Sequence, residues 1–166
     1  QPYESETKKL LRDPWRARDE YVAVVRDRSL NNVEQFLAEH QLSALSHDEQ
    51  VRVLRLLEMQ RHLMLMYTSC GWFFDEPTGP ETVQILQYAG RAVQLGQQLF
   101  GGHREQQFLQ CLEAVHSNIP EVGNGRQIYE KFVTPAMLDL PGGAAHYALA
   151  SFFDGYKQSD SVYSYS

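Results

Sequence analysis

The sequence contains few of the features that mark easily recognised protein classes. Cysteine occurs only twice in 166 residues, at Cys70 and Cys111, so cysteines alone can build neither a disulfide framework nor a zinc site. A single bridge between the two remains open. No apolar run approaches the roughly 18 to 20 residues that cross a bilayer, and the first residues are neither basic nor apolar enough for a signal peptide. The sequence predicts a protein outside the membrane, most simply in a reducing cytoplasm.

Positive charge is also scarce. Fifteen Lys and Arg residues face 21 Asp and Glu residues, which gives a formal net charge of −6, and no basic stripe stands out. A phosphate backbone is therefore a poor partner. We expect no nucleic-acid binding.

Recognisable catalytic and cofactor motifs are missing. The chain has no Gly-rich phosphate loop, no Gly-x-Ser-x-Gly elbow, no His-Glu-x-x-His and no Cys-x-x-Cys pair. Glu113 and His116 match the Glu-x-x-His spacing of di-iron bundles, but such a site needs a second copy and two further glutamates. A helix terminus at the surface is the simpler interpretation of His116. The sequence predicts no catalytic residue, no metal site and no cofactor.

What the sequence does contain indicates an all-α fold, an irregular bundle of about six or seven helices. Ser46 and Glu49 have the spacing of a capping box and open one strong helix, which we expect to end near Gly71. Thr78 and Glu81 repeat that spacing and open a second helix, which stops at Gly101-Gly102. The two best helices thus flank one loop.

Weaker signals complete the predicted architecture. Further helices are expected over 14–26, 29–40, 103–117, 126–138 (kinked at Pro135) and 141–154. We divide the chain into an N-terminal extension (1–12), a helical domain (13–154) and an exposed tail (155–166) that could also begin a following segment. The missing initiator Met suggests a processed chain or a piece of a longer protein.

The end of the first strong helix is unusually apolar. From Leu63 the run Leu-Met-Leu-Met-Tyr has no polar face, and a helix that is apolar on all sides is normally enclosed. We therefore expect this helix to run from the surface into the middle of the domain.

The loop that follows combines three consecutive aromatic residues, Trp72, Phe73 and Phe74, with two carboxylates, Asp75 and Glu76. One interpretation is structural: the rings close the end of the core and the carboxylates face water. The other is functional, because an aromatic ring stacks on the apolar face of a sugar while carboxylates accept hydrogen bonds from its hydroxyls.

Upstream of the loop, Glu58, Arg61 and His62 lie within about one helical turn. The simpler interpretation is an ordinary ion pair on a helix face. The alternative is that Arg61 or His62 reaches the aromatic loop and completes a polar pocket, with His62 sensitive to neighbouring carboxylates.

Several segments together resemble a known domain. Glu58-Met-Gln-Arg-His62, Met66-Tyr-Thr-Ser-Cys-Gly-Trp-Phe-Phe-Asp-Glu76 and Glu81-Thr-Val-Gln-Ile-Leu-Gln-Tyr-Ala89 carry the resemblance. Shorter contributions come from 117–120, 125–129 and 145–148. The chain, from about Asp13 to Phe153, is similar to the uncharacterised helical domain C-terminal to the catalytic module in bacterial glycoside hydrolase family 57 proteins.

The resemblance implies a role beside a catalytic barrel. In that family the upstream barrel carries a glutamate nucleophile and an aspartate acid/base that act on α-glucans with retention, and a helical region helps to close the substrate groove. Other branches have a Ser-Asp-Trp motif there. Ser69-Cys70-Gly71-Trp72 resembles it loosely, and Trp72 alone carries over, since no Asp precedes it.

The sequence thus supports two hypotheses. In the first, the chain is an accessory domain forming a wall or lid of an α-glucan groove: Trp72 and Phe74 stack on sugar, Asp75 and Glu76 accept from hydroxyls, and Glu58, Arg61 and His62 give polar support. Its partners would be the upstream barrel and an oligosaccharide. In the second, the loop is a docking face between domains and touches no substrate. A groove wall should be concave with convergent polar groups, whereas a docking face should be flatter and larger.

Overall fold

The computed structural model describes residues 2–137, and the expected helix over 141–154 and tail over 155–166 lie outside that range. The helices are α1 (Pro2–Thr7), α2 (Pro14–Glu20), α3 (Val22–Arg26), α4 (Leu30–His40), α5 (His47–Leu65), α6 (Pro80–Phe100), α7 (Arg104–Leu112) and α8 (Gly125–Phe132). Two 3₁₀ turns cover Ser69–Trp72 and Thr134–Ala136. No strand forms within 2–137, where extended pairing is limited to isolated bridges. The predicted all-α class is confirmed.

A main core joins the N-terminal helices to the central α5–α6 pair. Its fully or nearly buried members are Tyr3, Leu11, Ala17, Tyr21, Val24, Phe36, Leu37, Val53, Leu56, Leu57, Met59, Leu95 and Leu99. The residues assigned to an N-terminal extension are part of it, because α1 buries Tyr3 and the Tyr3 hydroxyl donates a 2.6 Å hydrogen bond to the carbonyl of Pro14. Over the described residues, the segment before Asp13 packs with the helical domain.

The expected helix over 14–26 forms as two short helices. The Asp13 carboxylate accepts hydrogen bonds from the backbone N–H groups of Trp15 and Arg16, as predicted for an N-cap. Tyr21 separates α2 from α3, and its N–H bonds to the carbonyl of Arg18 in a tight turn. The path therefore bends where a single helix was predicted.

The start of α5 is confirmed and its end is not. Ser46 and Glu49 form the predicted capping box. The helix ends at Leu65 rather than near Gly71, however, and Leu63 and Met64 are exposed. The prediction that this run is enclosed is wrong, because the neighbouring helices cover only one side of α5 and leave its last turn at the surface.

Helix α6 begins differently from the prediction and ends as predicted. Gly79 is the N-cap, and no side chain caps the helix. The predicted capping box of Thr78 and Glu81 does not form, because the Thr78 hydroxyl bonds to Glu76 instead. The helix stops at Gly101, whose φ of 70° is readily adopted by glycine.

A second, smaller core holds α7 and α8 against α6. Its buried members are Leu86, Leu112, Ile128, Tyr129 and Val133. Gly90 permits the approach, since a Cβ there would lie 2.9 Å from Val133 Cγ1. Helix α7 ends at Leu112, earlier than expected, and Pro135 lies in a 3₁₀ turn that follows α8.

Candidate functional site

The loop between α5 and α6 displays its aromatic side chains to solvent. The exposed fractions are 68% for Trp72, 80% for Phe73 and 56% for Phe74. The two phenylalanine rings meet edge to face, with centroids 5.0 Å apart. The interpretation in which these rings close the core is therefore wrong for all three. Large apolar side chains held in water in one place mark a binding surface.

The backbone of this loop is held tightly against α6. A Cβ on Gly71 would lie 1.9 Å from Cδ1 of Ile85, so any larger residue in this 3₁₀ turn would force the Ile85 side chain to move. The Thr82 hydroxyl also donates a 3.3 Å hydrogen bond to the Gly71 carbonyl. Gly71 thus permits a close approach to α6. The sequence predicted instead that Gly71 would end α5 in a left-handed conformation, and this does not occur. Trp72 follows directly on this anchored residue.

Glu76 anchors the other side of the loop. Its carboxylate accepts from the Ser117 hydroxyl (2.8 Å), the Asn118 N–H (2.8 Å), and the N–H and hydroxyl of Thr78 (3.0 and 2.8 Å). Partial burial opposes ionisation, but these hydrogen bonds outweigh it and lower the pKa of Glu76 to about 2. The carboxylate is already occupied by its own chain.

Asp75 differs from its neighbour. Only its backbone carbonyl is bound, by the Asn118 side-chain amide at 3.2 Å. The Asp75 side chain is exposed, and within 2–137 its carboxylate has no hydrogen bond or ion pair. Of the two predicted acceptors, Asp75 is the one available to a ligand.

Further exposed apolar side chains precede the loop in the sequence, at the end of α5 and just after it. Leu63, Met64 and Tyr67 are also exposed, and the exposed fraction of Tyr67 is 70%. With the three aromatic residues of the loop they form a run of six exposed large apolar side chains between 63 and 74. We call this run the aromatic face. It is larger than the two stacking rings that the sequence predicts.

Glu58, Arg61 and His62 form a separate cluster. Glu58 Oε1 accepts from Arg61 Nη1 at 2.9 Å and lies 3.6 Å from His62 Nε2. Arg28, in the connection between α3 and α4, lies 3.3 Å from the same oxygen. Burial disfavours the charged carboxylate, yet the His62 contact and the two guanidinium groups lower the pKa of Glu58 to about 2. No hydrogen bond or ion pair in 2–137 joins this cluster to Asp75 or Glu76.

Two atoms of this cluster are buried without a hydrogen-bond partner: Glu58 Oε2 and His62 Nδ1. The His62 ring lies 5.9 Å from that of Tyr88 on α6. Burial is the main cause that raises the pKa of Tyr21, with the Glu58 charge second. The cluster is thus a compact charged junction between α3, α5 and α6.

The structure offers no support for the Glu-x-x-His pattern as a metal site. Glu113 pairs with Arg126 at 2.7 Å, and His116 lies in the isolated bridge with Asn124. Among residues 2–137, the one group of three metal-ligand side chains within 4.8 Å is Glu20, Glu39 and His40.

An arginine already pairs with both carboxylates of that group. Arg16 pairs with Glu20 at 2.8 Å and Glu39 at 3.3 Å, and His40 Nε2 lies 3.2 Å from Glu20. A guanidinium between the two carboxylates makes this an ion-pair network on the surface of α2 and α4. Both cysteines, Cys70 and Cys111, are exposed and free, so the bridge that the sequence left open does not form.

Sequence reasoning missed several residues that shape these sites. Ser117 and Asn118 lie 41 and 42 positions from Glu76, and no local signal indicates that pairing. Arg28 lies 30 positions from Glu58, again with no local signal for the pairing. Asn124 could have been found, because Asn124 and Gln127 have the capping-box spacing and form that box at the start of α8.

The fold and the aromatic face define an all-α domain with exposed apolar side chains between 63 and 74. The chain belongs to the family described as "Domain of unknown function (DUF3536)", whose model matches residues 1–166. No curated protein and no solved structure matches the chain. Within 2–137, no helix combines the length and apolar character that a membrane span requires.

Proposed function

We propose that this chain is a non-catalytic accessory domain that binds carbohydrate through its aromatic face, as part of an α-glucan-active protein of the glycoside hydrolase family 57 type. Trp72 and Phe74 stack on sugar rings, and Asp75 accepts hydrogen bonds from hydroxyls. The observation that carries the proposal is the exposure of Trp72 on an anchored loop, beside an unpaired carboxylate.

The anchoring favours a binding role because it lowers the cost of ordering the loop. Gly71 is held against Ile85 and Glu76 against Ser117 and Asn118. A surface whose backbone is fixed before the ligand arrives loses less conformational entropy on binding. The rings therefore present a prepared platform.

The sequence predicts that Glu76 accepts hydrogen bonds from sugar hydroxyls, but in this proposal Glu76 does not contact the sugar. Its four hydrogen bonds within the chain make it a positioning residue that holds the loop, and Asp75 is left as the acceptor. Glu58, Arg61 and His62 hold one another and Arg28, so we give them no direct contact with the glucan.

The rest of the proposal depends on the resemblance of the motifs around Glu58–Ala89. It supplies the α-glucan as ligand class and a catalytic barrel upstream, which would carry both catalytic carboxylates. We assign no catalytic residue, metal or cofactor to this chain. The two free cysteines are compatible with a reducing cytoplasm, which is the location we propose.

Calorimetric titration of the chain with maltoheptaose tests the proposal. Trp72→Ala should weaken binding by about 1–3 kcal/mol, because it removes a stacking ring. Leu30→Ala is the matched control, because Leu30 on α4 is also exposed and apolar but lies outside the aromatic face. Equal affinities of wild type and Trp72→Ala would remove Trp72 from the site.

A second function, docking of a neighbouring protein domain on the aromatic face, is favoured by the size of that face. Six exposed large apolar side chains exceed what two stacked sugar rings need. If docking is the function, maltoheptaose should not bind. Phe73→Ala and Met64→Ala should then weaken association with the neighbouring domain as strongly as Trp72→Ala does.

A further inference from the structure

A second apolar concavity lies away from the aromatic loop. It has a volume of about 400 Å³, within the range of about 300–1,000 Å³ that small-molecule sites occupy. Helices α5 and α6 form much of its wall through Met59, Leu63 and Val93, and α7 adds Phe108. We call it the α5–α7 cavity. Most of its lining is carbon, so water inside it is poorly bound and an apolar ligand body is favoured.

The polar side chains of the cavity are few. Besides Tyr3, whose hydroxyl donates to the carbonyl of Pro14, they are Gln60 on α5 and Arg104 and Gln107 on α7. Within 2–137 none of these three side chains forms a hydrogen bond or ion pair to another residue. The adjacent acid, Glu105, accepts instead from the Tyr129 hydroxyl at 3.4 Å. The cavity lining thus contains one cationic donor group, Arg104, and no carboxylate to pair with it.

Arg104 is positioned by two contacts. Its guanidinium carbon lies 5.7 Å from the centroid of the Phe100 ring, which also lines the cavity. Its Cδ would lie 3.5 Å from a Cβ built on Gly96, so its stem crosses α6 at that glycine. The guanidinium is therefore held at the rim while its hydrogen-bonding positions stay open.

The charge of the lining selects the ligand. Arg104 is the single charged residue among the lining side chains, and the whole chain carries a net charge of −6. One guanidinium matches one carboxylate in a two-pronged hydrogen-bonded pair. A doubly charged phosphate would meet no second cation there.

We propose that the α5–α7 cavity binds a small monocarboxylate with an apolar body, its carboxylate on Arg104 and its hydrocarbon portion against Met59, Leu63, Val93 and Phe108. Neither the carbohydrate proposal nor the family assigns a ligand to this cavity. The cavity shares Leu63 with the aromatic face, but its lining includes neither Trp72 nor Asp75, so we expect both ligands to bind at once.

Calorimetric titration with octanoate, and with 1-octanol as its uncharged counterpart, tests the proposal. Wild type should bind octanoate saturably and more tightly than octanol. Arg104→Gln should weaken octanoate binding about tenfold, to the level of octanol, because it removes a charge-assisted pair. Arg55→Gln, which removes an exposed arginine elsewhere on α5, is the matched control and should change neither affinity.

A second variant and a second readout separate binding from folding. Val93→Trp fills the cavity and should abolish binding of both molecules. In wild type, octanoate should shift the amide NMR signals of Val93, Gly96 and Gln107 and leave those of Ser69–Trp72 unchanged. The proposal is overturned by absent saturable binding, by shifts located elsewhere, or by Arg104→Gln and wild type having equal affinities. Binding of maltoheptaose should be unaffected by octanoate, so the two sites are tested independently.

Discussion

The two ends of the α5–α6 pair use similar side chains in opposite ways. At one end, Leu56 and Leu57 of α5 and Leu95 of α6 are almost completely buried in the main core. At the other end, Leu63 and Met64 reach solvent, and Trp72 stands exposed on the loop that joins the helices. Residue type alone does not decide whether an apolar side chain supports the fold or faces a partner.

The contrast shows that the residues that stabilise the fold are different from those that are available to a partner. The buried end contributes the free energy of unfolding through close packing. The exposed end contributes less to it, since its side chains lose a smaller share of their water-accessible area on folding. Its order comes from backbone and carboxylate contacts at Gly71 and Glu76. Substitutions at the two ends should therefore have different consequences.

The largest effect is expected at the buried end. Leu56→Ala should lower the free energy of unfolding by about 2–5 kcal/mol, because it removes buried methyl groups and leaves a cavity. Urea unfolding followed by circular dichroism measures it. If Leu56→Ala lowered the free energy of unfolding by less than Leu63→Ala at the exposed end does, the comparison would be contradicted.

A smaller loss is expected at the charged junction between the ends. Glu58→Gln should destabilise the domain by about 1–3 kcal/mol, because Arg61 and His62 lose the negative charge of their shared acceptor in a half-buried position. Glu34→Gln, which removes an exposed carboxylate from α4, serves as the control. Equal stabilities of the two variants would show that the junction contributes nothing.

The contribution of Glu76, which anchors the loop, should depend on pH. Glu76→Gln should lower the melting temperature at neutral pH, because an amide cannot accept all four hydrogen bonds. Since the folded pKa of Glu76 is lowered to about 2 from its ordinary 4.5, the advantage of wild type is present above pH 4.5 and is lost as pH falls towards 2. Thermal melts across this range measure the difference.

The matched control for that experiment is Glu121→Gln. Glu121 is exposed and has no partner within 2–137, so this variant removes the same charge without the anchor. A wild-type advantage over Glu76→Gln that stays constant between pH 5 and about 2 would contradict the role of Glu76.

The smallest effect on stability is expected at the aromatic face itself. Trp72→Ala and Phe73→Ala should each change the free energy of unfolding by no more than about 0.5 kcal/mol, as exposed side chains usually do. The same urea titrations apply. A loss of several kcal/mol from Trp72→Ala would mean that the ring packs in the fold.

Local signals predicted much of the fold. Asp13-Pro14 and Ser46 with Glu49 cap α2 and α5 as expected, and Gly101 ends α6. These features depend on neighbours in sequence, which is why they can be read without a structure. The same reasoning failed at Thr78. Its hydroxyl has two competing partners, the N-terminus of α6 and the Glu76 carboxylate, and it bonds to Glu76.

Features that depend on distant contacts could not be predicted. Whether Leu63 and Met64 are enclosed or exposed can be predicted only when it is known which helices cover the last turn of α5. The engagement of Glu76 requires knowing that Ser117 lies beside it. The aromatic loop was recognised as unusual from composition, but exposure decides its role, and exposure follows from tertiary packing.

The fluorescence of Trp72 during titration with maltoheptaose tests the central claim most directly. In a Trp15→Phe background Trp72 is the one tryptophan left, and its indole is exposed before ligand is added. Stacking on sugar should shift its emission to shorter wavelength, and the shift should saturate. Asp75→Asn should raise the maltoheptaose concentration at which the shift is half complete. An emission spectrum that stays unchanged at saturating maltoheptaose would contradict a carbohydrate-binding aromatic face.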